Sequence, residues 1–179
     1  LILREELGDL EGTANALLLL GKAHREMGQE DAAVRVYEKA SFLYQSIGSV
    51  DSDGNALYAL ARFYQSVDKH EEAIQVLGDV LKIAVDLGEP ARIADVYLSL
   101  GESYQSSGQI DAAERVYLEA GSILRQRGAL PEEATAMEAL GRFYGRIESF
   151  DDSIAVLSKA LDDRRSLGDE TEIGSTLLL

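Results

Sequence analysis

The stretch LGESYQSSGQIDAAERVYLEA, residues 100–120, contains the pattern that decides the fold. Tyr104 stands three residues after a leucine–glycine pair, and the second half of the stretch carries Ala113, Tyr117 and Ala120. Residues three and four positions apart lie on one face of a helix. The stretch therefore predicts two helices, each with a face of small and aromatic residues.

The same pattern recurs at a step of 40 along the chain. Three columns on the first predicted helix are Leu20, Leu60, Leu100 and Leu140; Gly21, Ala61, Gly101 and Gly141; and His24, Tyr64, Tyr104 and Tyr144. Three columns on the second helix are Ala33, Ala73, Ala113 and Ser153; Tyr37, Leu77, Tyr117 and Leu157; and Ala40, Val80, Ala120 and Ala160. Six columns kept through four copies indicate an array of structural repeats.

Glycines recur with the same period and divide the copies. They are Gly8, Gly48, Gly88, Gly128 and Gly168. Glycine ends helices because it adopts the left-handed conformation without steric cost. In the first copy we expect helix A over roughly 10–27, with Gly28 as its cap, and helix B over roughly 30–46. The small columns allow two helix axes to approach closely.

The phase of the repeat assigns every residue to one array. The expected divisions are 1–8 as the tail of a preceding helix B, repeats over 9–48, 49–88, 89–128 and 129–168, and 169–179 as the start of a fifth helix A. Both ends therefore fall inside a repeat, which indicates a piece of a longer array. Apolar faces without capping elements at the two ends also predict head-to-tail self-association.

Composition and charge exclude several classes of partner and of functional site. The 179 residues carry a formal net charge of −15, which disfavours nucleic acid and anionic membrane surfaces as partners. There is no cysteine, so disulfides and cysteine nucleophiles are excluded. The longest leucine run, residues 17–20, is too short to span a bilayer. We expect no signal peptide, since charged residues follow the first three residues at once. We expect a cytoplasmic protein.

The six columns resemble the tetratricopeptide repeat pattern: a large residue, then Leu-Gly, a Tyr three residues later, and small–aromatic–small positions on helix B. Two features depart from that pattern, since the usual period is about 34 residues and Gln45, Val85, Arg125 and Arg165 replace the proline that ends helix B. The long repeats are similar to those of Pins-type G-protein-signalling modulators, kinesin light chains and some bacterial regulators with tetratricopeptide sensor domains. The resemblance implies a right-handed α-solenoid, an all-α fold of antiparallel helix hairpins.

The resemblance also implies that a concave groove, lined by the A helices, holds an extended or helical peptide. Helical spacing places five columns of each A helix on that groove. The candidate residues are Asn15, Leu18, Lys22, Arg25 and Glu26; Asn55, Tyr58, Arg62, Gln65 and Ser66; Asp95, Leu98, Glu102, Gln105 and Ser106; and Thr135, Glu138, Arg142, Gly145 and Arg146.

These residues predict a groove with basic ends and an acidic middle at Asp95 and Glu102, suited to a peptide of mixed charge. Tyr58 offers an aromatic contact, and Asn15 and Asn55 offer hydrogen bonds to a peptide backbone. The alternative is that these are ordinary solvated residues of exposed helix faces.

The remaining candidate motifs, two histidines and an acidic segment, are better explained by structural roles than by metal binding. His24 occupies a packing column, and His70 lies in a turn, so the two histidines form no metal site. Asp51 and Asp53 resemble a calcium loop, but the following glycine comes too early, so they are better explained as acidic residues at a helix N-terminus. No phosphate loop or catalytic set is present. We predict a chain that is not an enzyme and needs no cofactor or metal.

The sequence therefore predicts a protein–protein interaction scaffold that binds a protein or peptide in its groove. The alternatives are a regulatory or sensor segment of a larger signalling protein and a structural, self-assembling spacer.

Overall fold

The computed structural model describes residues 8–168, without the side chain of Leu167. The two terminal pieces expected to belong to neighbouring repeats, 1–7 and 169–179, lie outside the described residues. Within 8–168 there are eight helices and no strand: α1 (Leu10–Glu26), α2 (Glu30–Ser46), α3 (Val50–Ser66), α4 (His70–Leu87), α5 (Pro90–Ser106), α6 (Ile110–Gln126), α7 (Leu130–Arg146) and α8 (Phe150–Leu167).

The predicted all-α fold of helix hairpins is confirmed. The expected A and B helices of the first copy correspond to α1 and α2, and equivalent pairs follow at steps of 40. The odd-numbered helices are A helices and the even-numbered ones are B helices. The two prolines stand at the start of α5 and α7, where the missing amide hydrogen leaves no intrahelical bond unmade.

Residues in the left-handed conformation follow every helix and not only every hairpin. Their spacing along the chain is therefore half the predicted glycine period. Glycines take seven of these positions, namely Gly8, Gly28, Gly48, Gly88, Gly108, Gly128 and Gly168. The other two are Asp68, with φ 58°, and Glu148, with φ 62°. Every helix therefore ends with the same left-handed turn. The glycine period of the sequence shows only every second one of these turns.

The chain forms two compact units, unit 1 (Leu1–Leu87) and unit 2 (Gly88–Leu179). In unit 1, α1 packs on α2, α2 on α3, and α3 on α4, and α1 also touches α3. In unit 2, α5, α6, α7 and α8 make the same set of contacts. Each unit is therefore two hairpins whose A helices lie side by side.

The small columns bring the helices of a hairpin close together, as predicted. A Cβ atom on Gly21 would lie 2.6 Å from Cε1 of Tyr37. The ring of Tyr117 covers Gly101 in the same way. Because the rings of the two tyrosines are buried against these glycines, any side chain there must displace a large residue.

Aromatic side chains connect the two hairpins of each unit. In unit 1 the ring centroids of Tyr37 and Phe63 lie 6.4 Å apart. In unit 2 those of Tyr117 and Phe143 lie 5.8 Å apart. The second pair occupies the columns of the first pair two repeats later, so the aromatic contact follows the unit and not the single repeat.

Polar contacts also join B helices to the next A helix. The buried carboxylate of Asp53, in the first turn of α3, accepts hydrogen bonds from Ser41 Oγ at 2.5 Å and from Gln45 Nε2 at 3.0 Å. At the equivalent place in unit 2, Arg125 Nε donates to Glu133 Oε1 at 2.7 Å. Asp53, which the sequence analysis explained as an acidic residue at a helix N-terminus, thus also joins neighbouring hairpins, and Glu133 does the same in unit 2.

Candidate binding faces on the A helices

The candidate residues of unit 1 lie on α1 and α3, whose surfaces meet side by side. Lys22, Asn55 and Arg62 are exposed, while Leu18, Arg25, Tyr58 and Gln65 are half-buried. Alternating exposed polar and half-buried side chains give a surface with both charge and apolar contact area. Such a mixture is compatible with protein binding but is also found on ordinary protein surface.

The cations of unit 1 are only partly neutralised. Lys22 and Arg62 make no hydrogen bond or ion pair with the described part of the chain. Arg25 Nη2 lies 3.8 Å from Glu26 Oε1, at the outer limit of an ion pair. Burial raises the pKa of the nearby Tyr37 hydroxyl, Arg25 lowers it and Glu26 raises it. The tyrosine ring that fills the hairpin therefore reaches toward this charged face.

The face of unit 2 has both signs of charge. Arg146 Nη1 on α7 donates to Gln105 Oε1 on α5 at 3.0 Å, which joins two A helices across the predicted face. The pKa of Tyr117 is raised to about 12, chiefly by burial; Glu102 also raises this pKa, whereas Arg146 and Arg142 lower it. Glu102, Arg142 and Arg146 therefore lie close enough to the tyrosine hydroxyl to change its pKa.

Two residues at the edge of the predicted face turn toward their own B helix. Asn15 Oδ1 accepts a hydrogen bond from Tyr44 on α2 at 2.8 Å. In unit 2, Thr135 Oγ1 accepts from Nη2 of Arg164 on α8 at 3.0 Å. Asn15 and Thr135 are thus engaged within their own hairpins, because the end of helix B passes beside the start of helix A.

Glu138 departs from the predicted exposed position. Arg164 Nε donates to Glu138 Oε1 at 2.6 Å, and both side chains are almost fully buried. The helical arithmetic assumed that this column faces solvent, as the half-buried Leu18 and Tyr58 partly do. A long B-helix arginine covers the carboxylate, so Glu138 is not available on the surface.

Residues that the sequence reasoning missed also shape the faces. Tyr37 and Tyr117 were assigned only to packing, although their hydroxyl groups lie beside the charged columns. Arg164 was not singled out. The signal for it is an arginine in the column of Tyr44, Ala84 and Leu124, which are all buried.

Two kinds of feature are absent from the described residues. Over 8–168, no three His, Cys, Asp or Glu side chains are grouped to hold a metal ion. The same residues contain no helix with the length and hydrophobicity needed to cross a bilayer.

Stacked helix hairpins with small–aromatic packing define a tetratricopeptide-like helical repeat protein, and solved structures agree. An aspartyl phosphate phosphatase F from Bacillus subtilis superposes with TM-score 0.72 at 14% identity, covering 93% of this chain and 44% of the other. A Rap protein complexed with competence and sporulation factor gives 0.69 at 18%, covering 93% and 46%. Kinesin light chain TPR-like repeats from Podosopora anserina give 0.69 at 18%, covering 88% and 77%.

At these identities the structures share the fold, and this chain spans less than half of the phosphatase and of the Rap protein. The predicted similarity to kinesin light chain repeats and to bacterial tetratricopeptide regulators is confirmed. A comparison with curated proteins finds no match. The model of the soluble NSF attachment protein family, SNAP, matches residues 11–166, so the chain belongs to this family. The repeated columns of the sequence predict the helical repeat but not membership of this family.

Proposed function

We propose that the chain is a protein–protein interaction module that binds a segment of a partner protein on the A-helix face of each unit. The observation that carries the proposal is the exposure of Lys22 and Arg62, without ion pairs to described residues, on a strongly acidic chain. Helical repeats of this fold commonly mediate protein–protein interaction.

The excess of acidic residues makes exposed cations without an ion pair unexpected on this chain. The chain has 32 acidic and 17 basic residues, so a basic side chain readily finds an intramolecular carboxylate. Lys69 and Arg125 do so. Cations that remain available on neighbouring helices favour carboxylates of another molecule, with which they form strong charge-assisted hydrogen bonds.

The partner segment that fits best carries mixed charge. The face of unit 1 favours acidic side chains through Lys22 and Arg62. The predicted face of unit 2 carries Glu102, Arg142 and Arg146, so it favours both signs of charge. Half-buried apolar groups on both faces provide anchor contacts for large side chains. They are Leu18, Tyr58 and Leu98.

The comparisons support binding as the type of function. One protein of this fold is seen with competence and sporulation factor bound, so the fold is compatible with holding another molecule. We further propose that the chain acts by binding alone, without catalysis of its own.

Charge reversal on the two faces tests the proposal. The arginines Arg62 and Arg142 occupy the same column two repeats apart, one on each face, and both are exposed. The double variant Arg62→Glu/Arg142→Glu is expected to lose partners that the wild-type chain captures from a cell extract. Quantitative mass spectrometry of the captured proteins measures the loss, which we expect to exceed tenfold.

The matched control reverses two arginines of the B helices. Arg35 and Arg115 are also exposed and two repeats apart, so Arg35→Glu/Arg115→Glu makes the same change in net charge. This control should keep the wild-type partners. Equal retention of partners by both double variants would contradict binding on the A-helix faces and would favour a structural spacer.

A further inference from the structure

Unit 2 contains a small cleft where the end of α6, the start of α7 and the second half of α8 meet. Its volume is about 240 Å³. Its lining residues lie within the described part of the chain and outside the predicted A-helix faces; they are Arg125, Leu130, Glu133, Lys159, Asp163 and Ser166. The cleft is smaller than the pockets of about 300–1,000 Å³ that hold drug-sized ligands. A ligand that fits this cleft is therefore a small molecule.

One pair of opposite charges in the cleft is already satisfied. Arg125 Nε on α6 donates to Glu133 Oε1 on α7 at 2.7 Å, and Glu133 is almost fully buried. This ion pair forms the wall of the cleft between α6 and α7. Because the guanidinium and the carboxylate neutralise each other, a ligand in the cleft meets no net charge on this wall.

The other two charged groups, on Lys159 and Asp163, are not satisfied within the protein. They stand one helical turn apart on α8, a spacing at which a lysine and an aspartate can pair. Neither the Lys159 ammonium nor the Asp163 carboxylate makes a hydrogen bond or an ion pair with the described part of the chain. The pKa of Arg125 is raised chiefly by its hydrogen bond to Glu133, and Asp163 also raises this pKa. The Asp163 carboxylate therefore lies near the wall, and the cleft holds one available cation and one available anion.

The equivalent positions of unit 1 lack these two charges. Ile83 stands where unit 2 has Asp163. Asp79 stands where unit 2 has Lys159, and it pairs with Lys82 of its own helix at 2.8 Å. Both units have a polar joint between a B helix and the next A helix, so this joint does not require the available charges of unit 2.

We propose that the cleft binds a small zwitterion, namely a free amino acid with an apolar side chain. The carboxylate of the ligand lies against the Lys159 ammonium and its ammonium group against the Asp163 carboxylate, which gives two charge-assisted hydrogen bonds. Its side chain covers Leu130, which is 44% exposed. A ligand without net charge suits the site, because a chain of charge −15 repels anions and attracts cations at many other places.

Isothermal titration calorimetry with L-leucine tests the proposal. We expect leucine to bind at millimolar concentration, whereas isocaproate, which lacks the ammonium group, and isoamylamine, which lacks the carboxylate, should not. Lys159→Gln and Asp163→Asn each remove one charge and keep the size of the side chain, so both variants should fold. Each should weaken leucine binding at least tenfold, because one charge-assisted hydrogen bond is lost. Lys82→Gln is the matched control, since Lys82 is an exposed B-helix lysine of unit 1, and it should bind leucine like the wild type.

Several results would overturn the proposal. If leucine, valine and alanine all give no heat of binding at millimolar concentration, Lys159 and Asp163 are ordinary solvated charges of α8. Isocaproate that binds as tightly as leucine would define an anion site, and isoamylamine that does so would define a cation site. Equal weakening by Lys82→Gln would place the bound leucine outside the cleft. Partner binding on the A-helix faces is independent of all these outcomes, because none of the lining residues belongs to those faces.

Discussion

At the residue scale, two turns of the chain carry backbone strain that the others avoid. Asp68 and Glu148 adopt positive φ where the equivalent residues Gly28 and Gly108 are glycine. A side chain in the left-handed region costs about 1 kcal/mol, because Cβ approaches the following carbonyl oxygen. These two turns form because the helices on either side fix their geometry.

Relief of this strain should stabilise the protein. We expect Glu148→Gly to raise the free energy of unfolding by about 0.5–1 kcal/mol, because the turn keeps its conformation without the Cβ contact. The converse change, Gly108→Ala, should lower it by about 1 kcal/mol. Urea denaturation followed by circular dichroism measures both. A destabilised Glu148→Gly variant would show that the left-handed turn is not strained.

The buried ion pair between Glu138 and Arg164 offers a second test at this scale. Removal of one partner leaves the other charge buried without compensation, so Arg164→Leu should cost about 3–5 kcal/mol. The preceding repeat has an apolar pair in place of this ion pair, because Leu98 and Leu124 occupy the same two columns one repeat earlier.

The double variant Glu138→Leu/Arg164→Leu replaces the ion pair with the leucine pair of the preceding repeat. It should recover most of the stability that Arg164→Leu loses, because no charge remains buried. Chemical denaturation of both variants provides the comparison. A double variant as unstable as Arg164→Leu would mean that the cost lies in packing and not in the unpaired carboxylate.

At the element scale, close packing within a hairpin depends on glycine facing a large ring. Leucine at Gly101 must displace the buried ring of Tyr117, so Gly101→Leu should destabilise the protein by about 1–3 kcal/mol. A Cβ atom on Gly78, in the interior of α4, would meet no other atom within 4 Å, so Gly78→Ala should stabilise by up to about 1 kcal/mol. Thermal and urea unfolding distinguish the two. Stabilisation of both variants would contradict the packing described for Gly101.

The helices themselves are predictable from the sequence, because their columns follow the period of a buried helix face. The positions of α1 and α2 agree with prediction to within one residue at each helix end. The site is less predictable. Helical spacing shows which side of a helix a residue occupies, but not that Arg164 reaches across and buries Glu138. That outcome depends on the length of a side chain from another helix.

At the scale of the whole molecule, the repeating element is a pair of hairpins. About a third of the positions over 8–87 hold the same amino acid two repeats later, whereas only about a fifth of those over 8–127 hold it one repeat later. The tyrosine–phenylalanine contacts and the joints at Asp53 and Glu133 follow the longer step. The sequence contained this signal, because Gly8, Gly88 and Gly168 each follow a leucine, whereas Gly48 and Gly128 do not. Only the contacts show that each unit packs as one body.

Photo-crosslinking from matched aromatic positions tests the central claim, that the A-helix faces bind the partner. A benzophenone amino acid replaces Tyr58 on the face of unit 1 in one variant and the exposed Phe42 on α2 in another. With the partner recovered by the wild-type chain, we predict a covalent adduct from position 58 and none from position 42. An adduct from position 42 alone, or equal adducts from both positions, would contradict the account.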